Sequence, residues 1–338
     1  MPHTAQAPTF PGNGVIRLVQ RTYRDPGPGE LLVSPRANAI CGTDRGMFLG
    51  GASHIPGHET AGVVVATGPG TTTPTGTRGV VYLMDFCGEC RSCLIGATNQ
   101  CLAKRGDMGI NMDGGYGPLE VVHESNFFRI SDDIGFETAT MLLDVMGTSS
   151  HAIGRAQLLR PDIESVYIAG AGPIGLGLVL MVKLRLGEDL PVYISDISSW
   201  RREFAESFGA IPVDASDSAA LNRIGRPDVA FDASGKEVAR RAALDILGQR
   251  GALVCVGHGE GISLNVSDDL IAPEHAVLGS EYFRYDELAG NLELLQEHHE
   301  VISRVITDSF PIEELDAAFA AFLSGETGKV VVTQEGVE

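Results

Sequence analysis

Two rhythms of apolar and polar residues follow one another along the chain. Over residues 14–130 the apolar runs are short, as in Gly62-Val63-Val64-Val65 and Val80-Val81-Tyr82-Leu83, and Gly, Pro and Thr separate them. Short β-branched runs broken by turn residues predict a β-rich, barrel-like domain. Over residues 147–273 the runs Val166-Tyr167-Ile168, Val192-Tyr193-Ile194, Val229-Ala230-Phe231 and Leu253-Val254-Cys255-Val256 are spaced by helix-length segments. That is the βαβ rhythm of a doubly wound parallel sheet, so the fold class expected is α/β. From Val277 onward the pattern predicts helices over 286–297 and 312–323 and a closing strand over 329–332. A tail holding both helix and strand suggests that the chain returns to complete the first domain. The expected division is therefore 1–146 with 275–338 on one side and 147–274 on the other. The first dozen residues, with Pro2, Pro8, Pro11 and Gly12, read as a loose arm.

Composition narrows the class. The 338 residues are 43% hydrophobic and 20% charged, as in a globular protein, and are enough for two domains. No apolar stretch reaches the roughly eighteen residues of a membrane span. The first residues have neither a basic segment nor an apolar one behind it, so the cytoplasm is the expected location. A formal net charge of -19, from 25 basic and 44 acidic residues, repels phosphate backbones and argues against nucleic acid as a partner. Among the basic residues only Lys104, Lys183, Lys236 and Lys329 are lysine.

Gly170-Ala171-Gly172-Pro173-Ile174-Gly175 matches G-x-G-x-x-G. The motif alone is weak in a chain with 42 glycines, but here an apolar run precedes it and a helix-like segment follows. Gly170 permits a tight turn, Gly172 lets backbone approach a pyrophosphate, and Gly175 lets helix pack on strand. The next predicted strand ends at Asp196, 21 residues after Gly175. A carboxylate there can accept hydrogen bonds from both ribose hydroxyls of NAD and repels a 2′-phosphate. The alternative role for Asp196 is an acidic helix cap before Ser198 and Ser199. Arg201 and Arg202 follow closely and can serve a 2′-phosphate, so NADP stays open beside NAD.

Four of the six cysteines, Cys87, Cys90, Cys93 and Cys101, fall within fifteen residues. Thiolates spaced so closely on a Gly-rich loop can close a tetrahedron around zinc and leave no position for a substrate, which makes such a site structural. An iron–sulfur cluster is the rival occupant. A second set is dispersed: Cys41-Gly42-Thr43-Asp44, Gly57-His58-Glu59, and Asp144 in Leu142-Leu143-Asp144-Val145. A lone Cys is usually a small buried hydrophobe, so the order and flanks of these segments carry the signal.

In that order the sequence resembles the zinc-containing medium-chain alcohol and polyol dehydrogenase family, nearly end to end. The segments are C-G-T-D, G-H-E, the four-cysteine lobe, D-G-G-Y, L-D-x-x-x-T, G-x-G-x-x-G and a closing G-K-V-V-V. The resemblance implies a GroES-like catalytic domain beside a Rossmann domain. It implies Cys41, His58 and Asp144 as catalytic zinc ligands, with Glu59 as an outer or exchangeable ligand, and so two zinc ions per chain. Such a set leaves one position open for water or a substrate oxygen. By the same resemblance Thr43 takes the substrate's proton, Asp44 supports the ligands, and Thr148 and Ile174 touch the nicotinamide. Pro173 and Arg201 join the cofactor-binding set. A homodimer or homotetramer is implied too, with an edge strand around residues 262–266.

The reaction expected is hydride transfer between NAD and a secondary hydroxyl of a polyol, sugar or cyclitol-like small molecule. An NADP-dependent secondary-alcohol dehydrogenase, or a ketone or aldehyde reductase, is the alternative. A non-catalytic, zinc-stapled dinucleotide-binding protein is a more distant one. Three features depart from the family pattern or leave it open. Gly46 stands where many members carry a proton-passing histidine, with His54 in the same loop. The stretch between Cys41 and His58 is short. Tyr282-Phe283-Arg284-Tyr285 resembles a polyol-branch segment whose arginine and tyrosine lie near the zinc, the other reading being strand packing with an exposed arginine.

Overall fold

The run Glu30–Ala39 forms a strand in which Leu31, Leu32, Val33, Ala37 and Ala39 are all fully buried. A strand apolar on both faces must lie inside a sheet that is covered on both sides. In the computed structural model, which describes residues 3–337, it is central to a seven-stranded sheet. Along the sheet the order is Ile306–Pro311, Lys329–Thr333, Glu30–Ala39, Thr60–Thr67, Arg78–Val81 and Phe127–Arg129. Glu120–His123 also pairs with Glu30–Ala39. The closing strand pairs antiparallel with it, Val331 opposite Ala39, so the tail does complete this first sheet.

The chain divides into two compact units, Met1–Leu143 with Arg284–Glu338, and Asp144–Phe283. The first unit corrects the loose arm. His3–Gly12 is a strand paired antiparallel with Val15–Tyr23. Ala7 and Phe10 are fully buried, and the Phe10 ring packs on Phe48, Tyr116 and Phe319 at centroid distances of 5.7, 6.0 and 5.3 Å. Burying one such ring contributes about 1.5–3 kcal/mol, which outweighs the turn character of the prolines. Pro8 and Pro11 are tolerated because a two-stranded ribbon leaves backbone N–H groups without a ladder partner. The tail contains helix Glu287–Ser303, then a strand the apolar pattern did not announce, Ile306–Pro311, then helix Leu315–Ser324.

In the second unit six strands form a wholly parallel sheet. Their order is Ile211–Asp214, Val192–Asp196, Val166–Ala169, Val229–Asp232, Ala252–Cys255 and Ala276–Gly279. The chain builds outward from Val166–Ala169 in one direction, then crosses back and builds in the other. That is the doubly wound pattern the sequence predicts, with its switch point between Val166–Ala169 and Val229–Asp232. The sixth strand lies beyond residue 275, where the return to the first domain was expected. Its pairing with Ala252–Cys255 keeps it in this unit, and the return falls at Arg284. The segment 262–266 is not a strand. It runs irregularly into a helical turn at Val266–Ile271, and Ala276–Gly279 supplies the sheet edge instead.

Candidate metal centres and dinucleotide site

The four-cysteine lobe is built by a single turn of helix, Arg91–Leu94, and a short 3-10 turn, Thr98–Gln100. The sulfurs of Cys87, Cys90, Cys93 and Cys101 all lie within 4.8 Å of one another. Four of the sulfur–sulfur distances are 3.9 Å (Cys87 to Cys93), 3.5 Å (Cys90 to Cys93), 3.9 Å (Cys90 to Cys101) and 3.5 Å (Cys87 to Cys101). A tetrahedron with metal–sulfur bonds of about 2.3 Å has edges of about 3.8 Å, so the donor set fits a four-sulfur metal site. Backbone N–H groups of Cys90 and Leu102 point at Cys87 Sγ (3.3 Å) and Cys90 Sγ (3.4 Å). The backbone N–H of Cys93, followed by that of Leu102, draws the Cys90 thiol down to about 6. Burial pushes Cys93 up to about 12.

Arg284 and Tyr285 belong to this lobe. Arg284 Nε donates to Gly96 O (3.0 Å) and pairs with Asp286, while Tyr285 N donates to Thr98 Oγ1 (2.8 Å) and its hydroxyl to Phe127 O (3.0 Å). The 282–285 segment is not a strand and Arg284 is only partly exposed, so its contacts pack the segment on the cysteine lobe without the strand that the other reading expected.

Cys41 caps helix Gly42–Gly50. A sulfur at a helix N-terminus is favoured as thiolate. Asp44, fully buried, turns back to accept the Cys41 N–H at Oδ2 (2.9 Å). The Tyr116 hydroxyl donates to the same oxygen (3.0 Å), and His58 Nδ1 lies 3.5 Å from Asp44 Oδ1. Asp44 is thus hydrogen-bonded to Cys41 and Tyr116 and lies close beside the His58 ring. Thr43 Oγ1 lies 4.0 Å from Cys41 Sγ.

Gly57, before His58, has φ +101°, and a Cβ there would stand 2.8 Å from Tyr116 N. The Asp113-Gly114-Gly115-Tyr116 turn is thus packed directly on the G-H-E turn. Glu59 is fully buried and accepts from the equally buried Lys329 Nζ. Asp144 follows Leu143 in a kinked segment, Leu142–Thr148, and is 6% exposed. Cys41, His58, Glu59 and Asp144 each offer one ligand atom, all within 4.8 Å of one another. One sulfur, one imidazole and two carboxylates, gathered where burial would penalise unshared charge, suit a divalent metal of the zinc kind.

Sequence reasoning did not assign Lys329 or Tyr116 to this group. A lysine inside the apolar run that closes the chain was the available signal, since a buried lysine demands a partner. His54 Nε2 lies 3.3 Å from Gly109 O, which makes it a loop contact. Gly46 faces open space, with nothing within 4 Å of an added Cβ.

In the second unit, strand Val166–Ala169 leads through Gly170 (φ +97°) and Gly172 into helix Pro173–Leu186. Pro173 occupies the first turn, and no side chain caps the helix, so its N-terminal amides point into the loop. A Cβ on Gly175 would lie 1.9 Å from Gly170 O, the close helix–strand approach the motif predicts. Asp196 closes its strand at 8% exposure. It accepts Ala171 N at Oδ2 and Ser198 N at Oδ1, both at 2.9 Å, and so is fixed at the glycine loop. Arg201 places a terminal nitrogen 3.8 Å from Asp196 Oδ2 and 3.8 Å from a Cβ on Gly172. Arg202 is committed elsewhere, to Asp214 (3.1 Å) and Asp196 O (2.8 Å). Ser149 Oγ reaches Ile174 O (3.5 Å) in the first turn of helix Pro173–Leu186, and Thr148 precedes Ser149 in the chain.

These features define the class, a zinc-binding dehydrogenase fold with a nicotinamide-type dinucleotide unit, and comparison with known proteins agrees. Residues 27–132 match the family described as alcohol dehydrogenase GroES-like domain, and residues 173–297 match that described as zinc-binding dehydrogenase. An L-threonine 3-dehydrogenase of Shewanella pealeana is 30% identical over 94% of this chain and 96% of its own. The 2R,3R-butanediol dehydrogenase of Bacillus subtilis is 25% identical with a TM-score of 0.85, over 97% of this chain and 99% of the other. A zinc-binding dehydrogenase of Sinorhizobium meliloti 1021 bound to NADP is 25% identical with a TM-score of 0.86, over 98% and 99%. The chain belongs to the zinc-containing medium-chain dehydrogenase family. It is an NAD(P)-dependent zinc dehydrogenase acting on a small molecule, with GroES-like and Rossmann architecture, and the non-catalytic alternative is set aside. Among the described residues no helix is long and apolar enough to cross a membrane.

Proposed function

We propose that this chain oxidises a secondary hydroxyl of a polyol, sugar or cyclitol-like compound with NAD, in the reducing cytoplasm, as a homodimer or homotetramer. The carrying observation is Asp196. Its carboxylate is buried, anchored by two backbone amides, and held beside the glycine loop where the adenosine ribose would lie. An anchored carboxylate accepts ribose hydroxyls and repels a 2′-phosphate. The secondary hydroxyl draws support from the relatives, since L-threonine at position 3 and 2R,3R-butanediol are both secondary alcohols. The half-exposed edge strand Ala276–Gly279 supports an interface between copies.

Two zinc ions per chain are part of this reading, one in the Cys87–Cys90–Cys93–Cys101 lobe and one held by Cys41, His58, Asp144 and, in exchange, Glu59. Bound there, zinc supplies the acidity that ionises the hydroxyl, and nicotinamide supplies the acceptor for the carbinol hydride. The chain's own part is positional and protonic. Asp44 fixes His58, and Thr43 Oγ1 accepts the substrate's proton. Gly170 and Gly172, with Pro173 at the start of the helix, cradle the pyrophosphate, Gly175 lets that helix pack on the strand, and Thr148 and Ile174 border the nicotinamide. With Gly46 in place of a histidine, the proton leaves Thr43 through ribose hydroxyls and water.

One observation favours the alternative with NADP. Arg201 lies 3.8 Å from Asp196 and from the Gly172 position, within reach of a 2′-phosphate. Steady-state assays of sugars, polyols and secondary alcohols with both cofactors separate the two readings. Asp196→Ala is expected to raise the KM for NAD about tenfold or more, the loss of hydrogen bonds to a charged acceptor. An unchanged KM for NAD would sink the NAD assignment.

A further inference from the structure

Beyond the glycine loop, the dinucleotide unit contains a buried ion pair that the reading above does not use. Asp232 ends its strand fully buried, and Arg240, on helix Glu237–Asp245, is 7% exposed. Arg240 Nε donates to Asp232 Oδ2 at 2.7 Å. Its two terminal nitrogens donate to the carbonyl oxygens of Gly257 and Glu260, the two ends of the turn after strand Ala252–Cys255. The other carboxylate oxygen, Asp232 Oδ1, accepts from Ser234 N (2.9 Å), Ser234 Oγ (2.7 Å) and Gly235 N (3.1 Å). One oxygen of Asp232 thus shapes the loop after its own strand. The other, through Arg240, holds the loop after the next.

These loops are interlocked with each other and with the glycine-rich loop. A Cβ on Gly257 would stand 2.5 Å from Gly235 N, and one on Gly235 would stand 2.1 Å from His258 O. Glu260 N donates to Gly235 O (2.8 Å), and its carboxylate accepts Lys236 Nζ and Glu237 N, both at 2.9 Å. On the other side Ala233 N donates to Ala169 O (2.9 Å), and a Cβ on Gly170 would lie 3.1 Å from Ser234 N. A buried guanidinium is costly unless its donors are satisfied. Here all three donor nitrogens are engaged, one by the carboxylate that ends a strand and two by carbonyls of the turn after the neighbouring strand. Lysine, a point charge on a flexible stem, cannot reproduce that planar fork.

Ligands of open parallel sheets lie outside the carboxyl ends of the strands at the switch point. Here that point lies between Val166–Ala169 and Val229–Asp232. With the adenosine half on the Asp196 side, the other half would extend over the loops after Val229–Asp232 and Ala252–Cys255. We propose that Arg240 is a positioning residue for the nicotinamide half of the cofactor. Anchored by Asp232, it fixes the Gly257–Glu260 turn against which that half would rest. The inference depends on the dinucleotide reading of this unit.

The test compares a ligand with the nicotinamide half and one without it. Trp200, the only tryptophan, sits in helix Ser199–Glu206 just after Asp196, so its emission reports binding of NADH and of ADP-ribose. Arg240→Met is expected to weaken NADH about tenfold or more while ADP-ribose stays within about twofold, with kcat falling as well as KM rising. Arg240→Lys keeps the charge without the fork and should fall between. An equal loss of both ligands in R240M, or no loss of either, overturns the positioning role. Should R240M fail to fold, R240K decides: a selective loss for NADH supports the role, and wild-type affinity for both ligands removes it. If the wild-type chain binds neither ligand, the dinucleotide reading fails and this inference with it.

Discussion

Lys329 donates its ammonium to Glu59 in a pair without solvent access, the side chains being 1% and 0% exposed. The partners are 270 residues apart and join the last strand to the G-H-E turn of the candidate metal group. The contact therefore does two jobs: it ties the returning tail to the first sheet, and it sets the charge beside a carboxylate offered to the metal.

Removing one member of that pair leaves the other charge buried alone. Lys329→Met and Glu59→Gln are each expected to lower the unfolding free energy by about 3–5 kcal/mol. The double substitution should recover a large part of the loss, because no lone charge remains. Urea titration of the four proteins checks this, and strictly additive losses would show that the two residues do not act as a pair.

Glu120 is the second buried charge question. It is fully buried in strand Glu120–His123, and burial raises its carboxyl from the usual 4.5 to about 8. Unfolded, the same group ionises near 4.5, so between the two values the folded state holds the extra proton. Its contribution to stability is full below about pH 4.5 and is lost as pH rises through about 8. Glu120→Gln should remove that slope and raise stability near pH 8 by about 2–4 kcal/mol. Melting temperatures from pH 5 to pH 9, roughly the span of the shift, read this out; a Gln variant that tracks the wild type throughout disproves it.

One four-donor group is all sulfur and the other mixes sulfur, imidazole and carboxylate, so their removal should differ in kind. Elemental analysis is expected to find two zinc ions per chain, one for each group. Cys41→Ser should retain the lobe zinc, lose the other, and lose activity with little change in melting temperature. Cys90→Ser should lose the lobe zinc and melt lower, because a closed site contributes folding free energy. A fully active Cys41→Ser chain with one zinc would defeat the assignment of the catalytic site.

Some of the site was legible because its parts are close in the chain. The fifteen residues from Cys87 to Cys101 can hardly avoid bringing four sulfurs together, and the glycine loop dictates its own turn. The dispersed group was legible only through the order of its segments. The structure gathers Cys41, His58, Glu59 and Asp144, but no spacing rule connects 41 to 144. The N-terminal strand was missed for a related reason. Pro8 and Pro11 carry strong local turn signals, while the signal that prevails, burial of Phe10 among three other rings, comes from residues far along the chain.

By itself, then, the sequence determined the βαβ rhythm, the glycine loop with Asp196 behind it, and the cysteine lobe. Each rests on spacing within one covalent stretch, where backbone geometry leaves few alternatives. Tertiary structure alone decided which charges meet. It paired Lys329 with Glu59, placed Arg284 on the cysteine lobe, and set Arg240 between Asp232 and the Gly257–Glu260 turn. A long charged side chain carries no local record of its partner; burial excludes water first, and the nearest opposite dipole or charge then becomes obligatory.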